Sequence, residues 1–325
     1  MKRNIAFVAA LLVVLGGLGL GHATARPDPR HPEIGGGETV EERLDRMQRQ
    51  INAQQSEIAA VRTQNNVLRA QVTNLIAVNQ HVSMVELHGR PTVRFSGVNV
   101  QVVNGTGNTE TSNGTGNLIV GYDRLRAGNY PEYFQEECSV GTTYPDQPLE
   151  TRQECEAAWG KWQLDHKSGS HYLVIGDWHN YTKWSGIVSG IGNTANGRAA
   201  SVTGGLYNRA SNFGASVSGG IFGHAFGTGA SVSGGNEGRA GAYAATVSGG
   251  SGGIATGEMS SVTGGHWNEA IGDGSSVSGG STNRATGIGA SIGGGVLNTA
   301  SGYMSTVGGG INRTADETHG WAAGQ

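Results

Sequence analysis

Two stretches of this 325-residue sequence spell Gly-x-Ser-x-Gly, Gly249–Gly253 and Gly289–Gly293, the spacing that can present a serine nucleophile at a strand-to-helix elbow. Both lie in a segment dense in glycine and serine, and neither sits at such an elbow, so a serine hydrolase is not expected. His166, His171 and His179 lie near Asp165 and Asp177, residue types able to ligate a metal. Here they read as polar residues around a turn, and no metal, cofactor or catalytic residue is expected; nor is there a Gly-Gly-x-Gly-x-Asp calcium repeat. The remaining chemistry is that of Cys138 and Cys155, separated by 17 positions. With no Cys-x-x-Cys beside them they suit one disulfide in an oxidising compartment rather than a metal site. In a loop-closure picture such a bridge contributes about 3 kcal/mol.

Composition narrows the elements that carry these residues. The chain has 57 glycines but only 7 prolines, its charged residues make up 14 %, and its net charge is −3. Collagen needs a Gly-X-Y period and disorder needs high charge with few apolar residues, so a glycine-punctuated repeat remains. The near balance of 22 basic against 25 acidic residues gives no reason to expect a nucleic-acid partner. Residues 1–25 read as a secretory signal peptide: Lys2 and Arg3, an apolar run from Ile5 to Leu20, and Ala23-Thr24-Ala25 before the expected cleavage. The protein is therefore expected to be secreted, at a bacterial cell surface or outside the cell, with no transmembrane segment after cleavage. No cysteine follows the cleavage point to carry a lipid. Residues 26–37, with Pro27, Pro29, Pro32 and Gly35-Gly36-Gly37, form a flexible linker.

Residues 38–85 carry a heptad pattern. Leu44, Ile51, Ile58, Asn65, Val72 and Asn79 take a positions; Val40, Met47, Gln54, Val61, Leu68, Leu75 and Val82 take d positions. This predicts a coiled-coil stem, with polar Gln54, Asn65 and Asn79 fixing register; the seam does not separate two strands from three. Residues 86–185 predict a β domain. Leu118–Gly121 and Leu173–Gly176 look like members of one repeat, 55 positions apart, so one 14-residue repeat plus 41 inserted residues separates them. The insertion, about 122–170, holds both cysteines.

From residue 186 to 325 one motif governs. A branched residue recurs at Val188, Val202, Val217, Val232, Val247, Val262, Val277, Ile292 and Val307, first after 14 residues and then every 15. From Val202 onward Ser or Thr precedes it, two glycines follow two and three places later, and alanine stands eight places on. That period suits a parallel β-solenoid of two short strands and two tight turns per coil. Alternation puts the branched residue and the small residue two before it (Ala200, Ala215, Ala230) inside, and the hydroxyls outside. The paired glycines are expected to supply positive φ at one corner and Asn208, Asn268, Asn283 and Asn298 to tolerate the other. One Val and one or two Ala per coil make a thin core, so three solenoids joined by the stem are expected to bury inner faces against one another.

Copies such as Ala215-Ser216-Val217-Ser218-Gly219-Gly220, and Ala290-Ser291-Ile292-Gly293-Gly294-Gly295 followed by Asn298-Thr299-Ala300-Ser301-Gly302, resemble the head repeats of trimeric autotransporter adhesins of the YadA and haemagglutinin type. The resemblance covers residues 186–325 and, weakly, 117–185. It implies a mainly β fold, a left-handed parallel β-roll assembled as a homotrimer, and a head that binds host or abiotic surfaces. Two departures matter. Here the coil precedes the head, and the C-terminal barrel of the family is missing, so self-translocation is not implied.

Candidate surface contacts are Tyr207, Phe222, His266 and Trp267, large residues in the turn after the glycine pair, whose ligand could be a glycan, a protein or an abiotic surface. The expected role is a non-enzymatic adhesin. The alternative is a structural subunit of an extracellular filament or matrix. An ice-binding solenoid stands third, because no coil carries Thr on both sides of its branched residue.

Overall fold

The computed structural model describes residues 39–126, 136–140, 142–143, 147–149 and 151–324. The expected signal peptide and linker (1–25 and 26–37) lie outside the described residues, as do parts of the 122–170 insertion. The chain divides into two compact units, residues 1–98 and 99–325.

In the first unit a single helix, α1, runs Val40–Asn79. Thr39 caps it reciprocally: the Glu42 backbone N–H donates to Thr39 Oγ1 at 3.3 Å, and the Thr39 N–H donates to Glu42 Oε2 at 2.8 Å. No residue of α1 is buried. The apolar seam residues Leu44, Met47, Ile51, Ile58, Val61, Leu68, Val72 and Leu75 are 42–66 % exposed, and Asn65 is exposed with them. The helix stops earlier than the heptads predict. Val82, assigned to a d position, begins strand β1 (Val82–Leu87), which pairs antiparallel with β2 (Arg90–Phe95). The reason is the His88-Gly89 turn, whose φ values of 52° and 72° match the right-handed twist of a two-residue hairpin. The expected boundary between residues 85 and 86 divides this hairpin, which as a whole shares a unit with the helix.

The second unit is a parallel β-solenoid. One sheet of 12 strands begins with β3 (Leu118–Val120), continues through Ser170–Asp177 and Trp184–Ile191, and then gathers the Ser/Thr-Val/Ile pairs of each coil as far as Thr306–Val307 and Trp321–Ala322. A second sheet of 10 strands stacks the alanine strands from Asn180–Tyr181 to Thr314–Ala315. Each strand donates to the next coil, as in Ser201 N–H to Ala215 O at 3.0 Å and Thr203 N–H to Val217 O at 3.0 Å. β3 pairs directly with Ser170–Asp177, Ile119 opposite Val174, so the insertion leaves the stack and returns to the neighbouring rung.

Val188, Val202, Val217, Val232, Val247, Val262, Val277, Ile292 and Val307 are at most 1 % exposed. They meet the alanines of the second sheet inside one chain, because the two sheets face each other across a gap that only Val against Ala fills. The expectation that this column needs partner chains for its burial is therefore corrected: a single chain closes it. At the position of Ala200, Ala215 and Ala230, three later coils place Ser260, Ser275 and Ser305, buried with no hydrogen-bond partner for their hydroxyls.

The corners also differ from expectation. In the seven glycine pairs from Gly204-Gly205 to Gly294-Gly295 it is the second that has positive φ, as at Gly220 (89°) and Gly235 (86°), and in the last pair both Gly309 and Gly310 do. A Cβ at Gly235 would lie 2.3 Å from the carbonyl oxygen of Gly250, whereas one at Gly234 would meet nothing within 4 Å. A second left-handed corner is held by residues of every kind, Tyr207, Phe222, Glu237, Trp267, Thr282, Leu297 and Asn312 at φ 50–60°, and a third by Ala199, Ala244, Met259, Met304 and His319 at φ 53–58°, with glycine in the coils between. Their N–H groups point back one coil, Tyr207 to Ile191 O at 3.1 Å and Trp267 to Ser251 O at 2.8 Å, and these bonds fix a conformation that otherwise costs about 1–2 kcal/mol.

Asn208, Asn268, Asn283 and Asn298 take no corner. They are buried and form a ladder along the rod: Asn283 Nδ2 donates to Gly279 O (3.0 Å) and Gly295 O (2.9 Å), while its Oδ1 accepts the Asn298 N–H at 3.0 Å. Asn193 and Asn208 form a second such ladder. Between them Gly223, Gly238 and Gly253 take the asparagine position.

Candidate functional site

The cysteines form a disulfide, with Cα atoms 5.5 Å apart. Cys155 is carried by the short helix α2, Arg152–Ala157, and the bridge packs with Leu149, Val140 and Trp162 into a small core of its own. That core is tied to the solenoid by one strand of the insertion. The carbonyls of Glu137, Cys138 and Ser139 accept from His166 Nε2 (2.8 Å), Asn196 Nδ2 (3.1 Å) and Thr182 Oγ1 (2.8 Å).

At the centre of this junction lies a buried ion pair. Arg126 Nη1 is 2.5 Å from Glu137 Oε1, and the rest of its guanidinium donates to Trp178 O (2.9 Å), Gly192 O (2.8 Å) and Thr194 Oγ1 (2.9 Å). Arg209 Nε approaches Glu137 Oε2 at 3.3 Å, and Asn180 and Thr194 donate to Oε1. Burial alone would raise the Glu137 pKa. Arg209, Arg126 and the hydrogen bonds from Thr194 and Asn180 outweigh it and bring the carboxyl to about 2.

Where the insertion ends against the solenoid, a groove of about 510 Å³ remains. Its floor is one outward column of the second sheet, Arg209, His224 and Arg239, brought together by parallel pairing at 15-residue steps. One wall is the insertion, including Glu137 and Trp162. The other is the corner column, where the rings of Tyr207 and Phe222 stack with centroids 5.4 Å apart and planes 17° from parallel. Burial first, and then Arg209 and Arg239, push the His224 pKa well below its usual value, so its imidazole is neutral. Arg239 also lies over the Phe226 ring at 5.6 Å.

Of the four residues named from sequence as surface contacts, the groove unites Tyr207 with Phe222. Trp267 stands in the same corner column three coils on, about 14 Å away. It is exposed, and the His266 ring meets it edge-on at 5.7 Å. Arg126, Glu137, Arg209, His224 and Arg239 were not singled out from sequence. The last three stand 15 residues apart, and applying the repeat's own register to its charged residues would have found them.

The residues first weighed for chemistry go elsewhere. His179 donates from Nε2 to Ile175 O (3.0 Å) and accepts the Asn193 N–H at Nδ1 (3.2 Å), and burial lowers its pKa. His171 Nε2 accepts the Asn104 N–H at 3.3 Å. Asp177 holds Arg124, and Asp165 Oδ1 accepts the Arg126 N–H at 2.8 Å. Among the described residues no three His, Cys, Asp or Glu converge as a metal site. Ser291 donates along the outer hydroxyl column to Thr306 Oγ1 at 3.2 Å, and Ser251 occupies the column of single-residue bridges beside His266. Among the described residues no helix is long and apolar enough to cross a membrane. Neither a protein-family model nor any curated protein matches the sequence.

Proposed function

We propose that this chain is an exported, non-enzymatic, homotrimeric adhesin, whose solenoid head binds a surface and whose helix is the coiled-coil stem that joins three chains. The observation that carries the reading is the contrast between inner and outer columns. Inside, each coil from Val188 to Val307 repeats Val or Ile with small residues. At the left-handed corner the same backbone accepts Tyr, Phe, Glu, Gly, Trp, Thr, Leu and Asn in turn. A frame that holds its interior constant while freeing one outward column is suited to displaying a contact surface.

The stem supports the oligomeric part. A 40-residue helix about 60 Å long with its whole apolar seam in water has no source of tertiary stability except other helices. Outer apolar residues such as Leu206, Ile221, Val296 and Ile311 give the heads further area to share. The resemblance of the repeats to trimeric autotransporter heads points the same way and supplies the adhesive role.

The test is the mass of residues 26–325 by light scattering, together with adhesion of the same material to cells, matrix and polymer beads. Three chains per particle that bind saturably, and single chains after removal of residues 38–85, are expected. A stable monomer in both forms would overturn the trimeric reading, and absence of binding to every surface would overturn the adhesive one.

A further inference from the structure

Along the corner column one side chain is laid flat by the rod itself. A Cβ added at Gly252 would lie 2.5 Å from Cε3 and 2.9 Å from Cζ3 of Trp267, so the indole of one coil rests on the bare backbone of the coil before it. Gly252 is buried beneath the ring, and it is the single glycine among the eight corner residues from Tyr207 to Asn312. The outer side of the ring is open: Trp267 is 48 % exposed, and the His266 ring meets it edge-on. An aromatic plane fixed in this way has little freedom left to lose on binding.

The side chains around it suit hydroxyls. The column of single-residue bridges beside the corner is apolar toward both ends of the rod, at Ile191, Leu206 and Ile221 and again at Val296 and Ile311. In the four coils between, it runs Asn236, Ser251, His266 and Ser281. The corner positions on either side of the Gly252–Trp267 pair are Glu237 and Thr282. The patch therefore offers amide, hydroxyl, imidazole and carboxylate groups over about 14 Å of rod, and it contains no Lys or Arg. Packing this stretch against a second copy would bury hydrogen-bonding groups without matched partners, a cost that the apolar stretches beyond it do not carry.

We propose that Trp267 is the stacking platform of a neutral-sugar site, with the pyranose ring laid on the indole and its hydroxyls taken by the polar side chains of the same four coils. The inference rests on the adhesive reading and names its ligand class. A pyranose with equatorial hydroxyls presents a flat face of C–H groups, weakly positive, to the negative face of the indole. Its rim of hydroxyls both donates and accepts, as the patch does. An acidic sugar would meet Glu237 and no cation. A quaternary ammonium would find one aromatic wall where recognition of such a cation takes a cage of them.

Calorimetry on residues 26–325 would use cellotetraose as the probe, with tetragalacturonate and choline beside it. Cellotetraose is expected to bind saturably and at least about tenfold tighter than either. Trp267→Asn, which gives the corner the residue type it already holds at Asn312, is expected to weaken binding about tenfold with the particle mass unchanged. Gly252→Asn keeps the indole but takes away its bed, and is expected to weaken binding to the same extent. Phe213→Thr, in another exposed column where Thr228 stands one coil on, should leave it unchanged.

Equal weakening by Phe213→Thr would reduce the effect to exposed aromatic surface in general and overturn the site. Full affinity in Gly252→Asn would overturn the flat platform, and choline or tetragalacturonate binding as tightly as cellotetraose would overturn the neutral sugar. A change of particle mass in Trp267→Asn would place the indole between copies and overturn the proposal. Saturable adhesion with no affinity for cellotetraose would overturn the ligand while leaving the adhesive reading standing.

Discussion

The two units meet the same problem, too few apolar residues per length of chain, and solve it in opposite ways. The helix of residues 40–79 leaves every seam residue in water. The solenoid buries its Val column completely within one chain, using alanine as the opposing surface and backbone hydrogen bonds between coils for everything else. The lesson is that a thin core suffices when each rung is hydrogen-bonded to the rungs on either side, whereas a helix, whose backbone bonds are all internal, has only its side chains with which to hold a neighbour.

The largest expected effect tests that contrast directly. Ile58→Asp with Leu68→Asp places two charges in the seam, and light scattering should show complete dissociation to single chains while far-UV circular dichroism keeps its β signal. If the β signal collapses as well, the solenoid is not self-sufficient and the comparison fails.

Within the solenoid, Gly235→Ala forces a Cβ toward the Gly250 carbonyl oxygen at positive φ and should destabilise by at least about 3 kcal/mol in thermal or denaturant unfolding. Gly234→Ala should change stability by less than about 1 kcal/mol. Equal costs for the two would mean that the glycine pair acts through chain flexibility rather than through close approach.

A smaller change of opposite sign is expected from Ser260→Ala, Ser275→Ala or Ser305→Ala. Each removes a buried hydroxyl without a partner at a position where other coils hold alanine, and should stabilise by about 1 kcal/mol. No gain would show that the hydroxyls are satisfied in solution.

The least effect is that of mild acid. His224 and His179 both have lowered pKa values in the fold, so the unfolded chain binds more protons, and stability should fall as pH drops below about 6.5. Glu137, lowered to about 2, adds its loss only between about pH 4.5 and 2. His224→Thr should reduce the first phase to the contribution of His179 and leave the second, read as melting temperature against pH. The helix, whose described glutamates and aspartates are exposed, should show no histidine-linked phase.

The rungs could be read from the residues because their cause is local and repeated: Val followed by paired glycines can only mean a chain that reverses at a fixed period. The same logic placed β3 beside Ser170–Asp177 across the insertion. It failed for the corner, because what holds Tyr207 or Trp267 at positive φ is an N–H bond to the preceding coil, and no residue type announces that. It failed for the asparagines too, whose preference for turns is real but here yields to carbonyls that need a donor inside the rod. The groove was half visible. Tyr207 and Phe222 could be named, whereas Arg126 and Glu137 belong to a segment without period, and their pairing depends on how the insertion folds back.

Because from Ser201 onward each strand residue of the solenoid pairs with the one 15 places on, the unit of change in this molecule is the whole rung. Loss or gain of one repeat's coding sequence would leave every remaining pairing in register and alter only the reach of the rod, by about 4.8 Å. A slip of one residue within a strand would instead turn its inner side chains outward. Length can thus drift by recombination between near-identical repeats, while the groove, anchored by the insertion to the first coils, keeps its place.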